Sequence, residues 1–335
     1  MGEIGENVKG RPLFLSAEAT KAVLTWPDAI AALREVYAAG VDASNAPRRT
    51  VARGPGRSLR AMAAIPSTGR FMGAKVFGFS PSGGSYAVLL LDRHTGEVAG
   101  ILDAHYITGF RTGATSALAL DYLAAKKAIA VGVLGSGAEA QAHLAATSHV
   151  RRIASFKVFS PSAANRTAFA ERFARELGVP GEAVADARAA TEGADVVIAA
   201  ARSHGERPIL FGDWLRPGMV VVSIGSTLPE QREIDTSVVA ACDLVVCDGI
   251  DEVVEETGDM IAAKAAGIAF TDKLMTLSEL VSGRAAERVQ MARLPMLKTA
   301  GSALQDLAVA ELAFTKAAAA GLAQELPGAF LSKPL

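Results

Sequence analysis

The chain has only two cysteines in 335 residues, Cys242 and Cys247. Five apart in one short segment, they suit reduced packing thiols in a cytoplasmic protein better than a disulfide framework. Five histidines form no H-E-x-x-H or other ligand spacing, so no metal is expected, and His143 and His149 read as ordinary surface or cap residues. Neither sign of charge is in excess. With 34 Lys and Arg against 35 Asp and Glu, the net charge of -1 gives no electrostatic case for nucleic acid or an anionic membrane. Hydrophobic residues make up 50% of the chain, yet Gly or charge interrupts every apolar stretch well short of the ~18 residues a membrane span needs. Met1 to Arg11 is polar and lacks the apolar core of a secretory signal. Internal repeats and low-complexity linkers are also missing. Small molecules and other subunits remain as partners, and the length suits about two domains.

Against these absences stands Ala128-Ile-Ala-Val-Gly-Val-Leu-Gly-Ser-Gly-Ala-Glu-Ala-Gln141, an apolar run that breaks into a glycine-rich turn and then an alanine-rich helical pattern. The run is nearly continuous rather than alternating, as in a strand buried on both faces. Gly135, Gly137 and Ala140 fit G-x-G-x-x-G/A: a tight turn, a close backbone approach to a pyrophosphate, and a small residue where helix meets strand. The fingerprint gains weight from its strand-turn-helix context.

Ahead of it, Ser16 to Ala43 has helical spacing, with Pro27 opening a helix. Asn45 to Thr50, Ser58 to Ile65 and Arg70 to Phe79 read as short strands, and Ser85 to Asp92 with Glu97 to Asp103 as a hairpin, giving a mostly antiparallel sheet. Lys75 in the third segment is either an edge-strand charge facing solvent or an ammonium held in a pocket. Tyr106 to Leu120 is a helix of small residues; its Arg111 is a surface arginine or stands at a cleft. Beyond the glycine turn, Phe156–Phe159, Ala194–Ala201, Met219–Gly225 and Asp243–Cys247 read as strands alternating with helices such as Ala163 to Leu177. That alternation implies a doubly wound parallel sheet, with ligands at the carboxyl ends of its strands. The acidic run Asp248 to Asp259 reads as a solvated helix, because its spacing fits no calcium loop. Leu274 to Val281 reads as a helix, and Lys298 to Phe314 as a long periodic one that returns to the first domain.

Pro47-Arg-Arg-Thr50, the isolated Lys75, Arg111-Thr-Gly-Ala-Thr-Ser, the Gly135 turn and Lys298-Thr-Ala-Gly-Ser-Ala-Leu-Gln-Asp306 occur in that order, and together they resemble the ornithine cyclodeaminase/mu-crystallin family. The resemblance runs from about Asn45 to Leu322. It implies an α/β protein: a Rossmann domain over 119–299 inserted in a discontinuous α+β substrate and dimerisation domain over 1–118 and 300–335, paired as a homodimer. It further implies that Arg49, Lys75 and Arg111 line the carboxylate of an imino or amino acid, a planar group that suits a guanidinium fork, with Lys75 able to supply a proton. Thr112, Gly135, Ser136, Gly137, Ala138, Glu139, Ser160, Ala201, Ile224, Gly225, Ser226 and Thr299 would meet the cofactor. Glu139 stands where Gln is usual, and Ala201 where Thr is common.

Two departures set the expected activity. Cyclodeaminases carry a catalytic aspartate two residues beyond Gly225, where this chain has Thr227. An NAD-preferring site places an acid at the end of its second strand, ~20 residues past the glycine turn. Here Ser160, Ser162 and Arg166 follow Phe159, so NADP(H) is expected in preference to NAD(H). The expectation is an imine reductase or amino-acid dehydrogenase working on a substrate such as pyrroline- or piperideine-2-carboxylate. The alternatives are a cyclodeaminase and a crystallin-like protein that binds NADP without turnover.

Overall fold

A computed structural model describes residues 11–42, 44–201, 207–328 and 330. The polar stretch before Arg11 and the last residue of the expected helical lead-in, Ala43, lie outside the described residues.

Eight parallel strands form one sheet, in the order Leu274–Thr276, Leu244–Cys247, Pro295–Lys298, Val220–Ser223, Val196–Ala199, Ala128–Leu134, Arg152–Phe159, Gly181–Ala183. Four of the central strands are buried at every position, the pattern of a sheet covered on both faces. From Ala128–Leu134 the chain winds outward to Gly181–Ala183, then returns to Val196–Ala199 on the other side of its starting strand. That reversal opens a crevice at the carboxyl ends of the two strands, the place where doubly wound sheets bind ligands. Gly135 turns there with φ +117°, and a Cβ would stand 2.5 Å from the Ala200 carbonyl oxygen, so only glycine fits.

The second sheet has seven strands, in the order Gln324–Glu325, Leu13–Leu15, Val98–Asp103, Gly83–Asp92, Phe71–Ser80, Arg57–Ala64, Thr50–Gly54. All its pairings are antiparallel except that of Leu13–Leu15 with Val98–Asp103. Register fixes one face: Met62 lies opposite Lys75, Arg60 opposite Phe77, and Phe77 opposite Tyr86. Alternation along the strands puts these side chains on the same side.

The His105–Leu123 helix lies between the sheets. It packs on the Trp26–Ala38, Ala138–Thr147 and Ala303–Ala319 helices and touches strands of both sheets. Its buried run Thr112-Gly-Ala-Thr-Ser-Ala117 keeps the neighbouring backbones close. After the parallel strand Pro295–Lys298, the Ala303–Ala319 helix crosses to the antiparallel sheet, where Phe314 meets Phe71 edge-on at 5.4 Å. The antiparallel unit therefore draws on both ends of the chain.

Several readings of the sequence need correction. Leu274 to Val281 is not one helix but a strand, Leu274–Thr276, followed by the helix Leu277–Ser282, whose start is fixed by a capping box between Thr276 and Glu279. Asn45 to Arg49 is a loop; only Thr50 enters a strand. The acidic run is only partly solvated: it forms the short helices Ile250–Glu256 and Gly258–Ala265, with Asp251 and Glu255 exposed but Asp248, Glu252 and Asp259 buried against cations and backbone amides. His143 is fully buried; its Nδ1 donates to the Glu139 carbonyl at 2.7 Å, and burial pushes its pKa down to about 4. His149 is exposed as expected. Cys242 and Cys247 are free buried thiols. Among the described residues no group of His, Cys, Asp and Glu is arranged to hold a metal, and no helix is long and apolar enough to cross a membrane.

Candidate active site

The two sheets face each other across a cleft that widens into two adjoining cavities of about 770 and 440 Å³, sharing Tyr86, Arg111, Thr227, Gln231 and Ala300 on their walls. The larger abuts the antiparallel sheet, and the smaller runs to the glycine turn.

Lys75 belongs to the larger cavity and is 1% exposed, so the edge-charge alternative is excluded. Its Nζ donates to Thr108 Oγ1 at 2.8 Å and Asp306 Oδ1 at 2.9 Å. Burial pushes its pKa down to about 8, against the pull of Asp306. Arg111 also stands at the cleft: its Nε is 3.2 Å from Asp306 Oδ1, and its Nη1 donates to Gln305 Oε1 at 2.8 Å. Asp306 thus sets the position of both cations. Arg49 lines the same cavity but is more heavily engaged. Its Nη2 donates to the carbonyls of Ala300 and Gly301 at 2.7 and 3.0 Å, and its Nε lies 3.0 Å from Glu256. The Ala300–Gly301 turn is held from the other side by Asp248, which accepts both backbone N–H groups. Gly301 has φ +85°, and a Cβ there would meet Arg111 Nη1 at 2.7 Å, so this glycine makes room for the arginine.

Thr227 lines both cavities and donates through Oγ1 to Gln231 Oε1 at 3.2 Å. Neither nearby acid replaces the missing aspartate. Glu230 is exposed and 3.5 Å from Arg53 at the rim. Glu233 is fully buried, its carboxylate accepting from Ala201 N, Ser223 Oγ, Ile224 N and Gly225 N. It fixes the strand ends from beneath rather than facing the cavity. Burial pushes it up to about 7 although Lys298 pulls the other way. Lys298 is itself buried, 3.1 Å from Asp259 and 3.0 Å from Ser223 Oγ.

Gly137, Ala138, Glu139, Thr112, Ile224, Gly225 and Thr299 line the smaller cavity. The Ala138–Thr147 helix has no side-chain cap, which leaves its first N–H groups for an anion. A Cβ at Gly137 would meet nothing within 4 Å, so the backbone there is open to a ligand. These features fit the phosphates of a dinucleotide. Glu139 is half-buried, and burial raises its pKa against the nearby Arg111 and Lys75. Ser136 Oγ donates to Ser160 Oγ at 2.8 Å, joining the turn to the end of the second strand. Arg166 curls back to donate to the Ser160 carbonyl at 2.9 Å. Ser162 caps the Ala163–Leu177 helix by accepting from Asn165 N. Ser226 departs from expectation: its side chain is fully buried and donates to the Gln231 carbonyl, which leaves only its backbone for a cofactor. Ala201 gives its N–H to Glu233. Arg60, Tyr86 and Gln231 also line the larger cavity, although no motif marks them in the sequence. Strand alternation could have singled out the first two, which share a face with Lys75.

The chain belongs to the ornithine cyclodeaminase/mu-crystallin family, whose model matches residues 16–321. Among its relatives, a Delta(1)-pyrroline-2-carboxylate reductase of Bacillus cereus is 28% identical over 240 residues, 71% of this chain and 73% of the relative. The ketimine reductase mu-crystallin of Rattus norvegicus is 28% identical over 68% of each chain. The solved structure of Thermococcus litoralis Delta(1)-pyrroline-2-carboxylate reductase, in complex with NADH and L-proline, is 27% identical, with a TM-score of 0.87 over 94% of this chain and 100% of that one.

Proposed function

We propose that this protein reduces the C=N bond of an α-imino acid at the expense of a reduced nicotinamide dinucleotide. The observation that carries the reading is the contact between the two cavities: a cationic wall of Lys75 and Arg111 adjoins the uncapped helix and glycine turn across Tyr86, Thr227 and Ala300. When bound, the dinucleotide supplies the hydride that goes to the imine carbon. Arg111 presents a guanidinium fork that a carboxylate can meet in one orientation, which fixes the α-carbon relative to the glycine turn. The Lys75 ammonium holds a proton at Nζ, and its lowered pKa makes that proton easier to give to the substrate nitrogen near neutral pH. Lys75 stands among Phe77, Tyr86 and Met62 on the cavity wall, and this burial is what lowers its pKa.

The absence of an acid at Thr227 favours reduction over cyclising deamination, which needs a carboxylate to hold and deprotonate a distal amine. Ser160 and Arg166 at the end of the second strand, where an acid would repel a 2′-phosphate, favour NADP(H) over NAD(H). Oxidation of NADPH in the presence of cyclic ketimines, or of 2-oxo acids with amines, is the expected result. Failure of every imine in such a panel to consume either reduced cofactor refutes the reading.

A further inference from the structure

The wall of the larger cavity has six cationic side chains, Arg49, Arg53, Arg57, Arg60, Lys75 and Arg111, and one carboxylate, Glu230. A single α-carboxylate leaves most of that charge unanswered. Three of the six are engaged inside the protein: Arg49 with Glu256 and two backbone carbonyls, Lys75 with Thr108 and Asp306, Arg111 with Gln305 and Asp306. Arg53 meets Glu230 at the exposed rim, and Arg57 is exposed.

Arg60 differs from all of them. It is half-buried, its Nε is shut away from solvent without a hydrogen-bond partner, and among the described residues no carboxylate lies within ion-pair distance of it. Its guanidinium sits over the rings of Phe77 and Phe79, 5.5 and 5.7 Å from their centroids. Burial and then the charges of Arg49 and Arg53 oppose its ionisation and outweigh the smaller opposite pull of Glu230 and Tyr86, yet a guanidinium stays charged at any working pH. A partly desolvated charge with no counter-ion in contact is costly, and stacking on two rings recovers only part of the loss. Arg60 lines the larger cavity and not the one beside the glycine turn, so the cofactor's phosphates do not answer it.

From these relations we infer that Arg60 binds a second carboxylate on the substrate, so that the preferred substrates are α-imino dicarboxylic acids. The inference rests on the imine-reductase reading above and narrows it. Register supplies the spacing. Arg60 pairs with Phe77, and Lys75 lies two residues along the same strand and the same face, so the two cations are diagonal neighbours with backbones about 7–8 Å apart. One carboxylate at Lys75 and Arg111 and another at Arg60 then bracket a short carbon chain lying over Phe77 and Tyr86, whose rings stack at 5.4 Å. The chemistry balances with ammonia as co-reactant. A 2-oxo diacid and ammonia lose water to form the imine; its carbon takes the hydride from the reduced nicotinamide, and its nitrogen takes a proton, giving the amino diacid and the oxidised cofactor.

The test separates binding from turnover. Titration of the NADP⁺-loaded protein with succinate and with propionate should show succinate binding about tenfold to a hundredfold tighter, the usual worth of a charge-assisted pair, and that ratio should collapse in Arg60→Gln and recover in part in Arg60→Lys. The kcat/KM ratio for oxaloacetate plus ammonia over pyruvate plus ammonia should fall by a similar factor in Arg60→Gln. Equal binding of succinate and propionate by the wild type, or a ratio that survives in Arg60→Gln, overturns the proposal. So does inorganic phosphate competing as well as succinate, which would reassign Arg60 to a phosphate. Turnover of pyrroline-2-carboxylate without any diacid preference removes this proposal and leaves the imine-reductase reading standing. No turnover of any imine removes that reading, and the succinate titration still decides what Arg60 binds.

Discussion

Lys75 Nζ and Asp306 Oδ1 lie 2.9 Å apart although 231 residues separate them in the chain, and both groups are buried. The pair joins a strand of the antiparallel sheet to the helix that follows the parallel one. The same oxygen also faces Arg111 Nε at 3.2 Å, so one carboxylate holds two cations at the cavity wall.

Removing the ammonium should therefore have two separate effects. Lys75→Met is expected to lower kcat/KM for imine reduction by about 10²–10⁴-fold, the range for loss of a general acid. It should also destabilise the fold by about 3–5 kcal/mol, because Asp306 loses a buried partner, although Arg111 reduces that cost. Steady-state kinetics together with denaturant melts check both. A variant with wild-type turnover would take the proton-donor role away from Lys75.

The pH profile follows from the same group. Burial, partly opposed by Asp306, brings Lys75 down to about 8, so the ammonium predominates below that pH and the free amine above it. Reduction consumes the proton, and its kcat/KM should fall as pH rises through about 8; amino-acid oxidation needs the free amine and should rise over the same interval. Profiles of kcat/KM in the two directions, measured across this range, should bend in opposite senses.

Arg111→Lys keeps the charge and loses the fork. Because Arg111 reaches Asp306 through Nε and Gln305 through Nη1, a lysine cannot make both contacts and still meet a carboxylate. A loss of about tenfold to a hundredfold in kcat/KM is expected, with little change in cofactor affinity. Gly301→Ala should resemble it, since the added Cβ would fall 2.7 Å from Arg111 Nη1 at a left-handed backbone position. Equal loss on an imine lacking the carboxylate would show that the clamp has been misassigned.

Cofactor preference depends on the end of the second strand. Arg166→Ala should weaken NADPH binding about tenfold or more while leaving NADH nearly unchanged, because only the former offers a 2′-phosphate to the guanidinium now resting on the Ser160 carbonyl. Fluorescence titration of both reduced cofactors checks this. Equal or better catalytic efficiency of the wild type with NADH would contradict the preference.

Thr227 carries the last prediction. Ornithine with catalytic NAD should yield no ammonia and no proline, since Glu230 is drawn to Arg53 and Glu233 is enclosed beneath the strand ends. Amino-acid analysis of such an incubation decides it.

Much of this arrangement was legible in the residues themselves. Apolar strands alternating with helical stretches implied a doubly wound sheet, and Gly135 at the end of one of them located the crevice. Chemistry between distant segments was not legible. Lys75 reads more readily as an edge charge from its neighbours alone, because nothing near it in sequence announces Asp306. The buried acids of the acidic run read as solvated because their counter-charges, Arg49 and Lys298, lie far from them in sequence, one ahead of the parallel sheet and the other at the end of its Pro295–Lys298 strand. Arg60 is inconspicuous in the sequence, because a charge inside a strand stands out only once register shows which face it shares with Lys75.

The Ala303–Ala319 helix bears on how the molecule is made. During synthesis the antiparallel strands emerge first and the parallel sheet next, yet the carboxylate that settles Lys75 and Arg111 arrives only with residue 306. Until then the early strands lack both that helix as a cover and a counter-ion for their lysine. Closing a contact over so long a loop costs more chain entropy than closing any one crossover of the parallel sheet, each of which spans far fewer residues. A chain stopped short of the helix would thus have a nearly finished dinucleotide-binding half beside an unfinished one, and no working fragment would result. The cavity takes its final form only when the last helix docks, so the cell receives the activity whole or not at all.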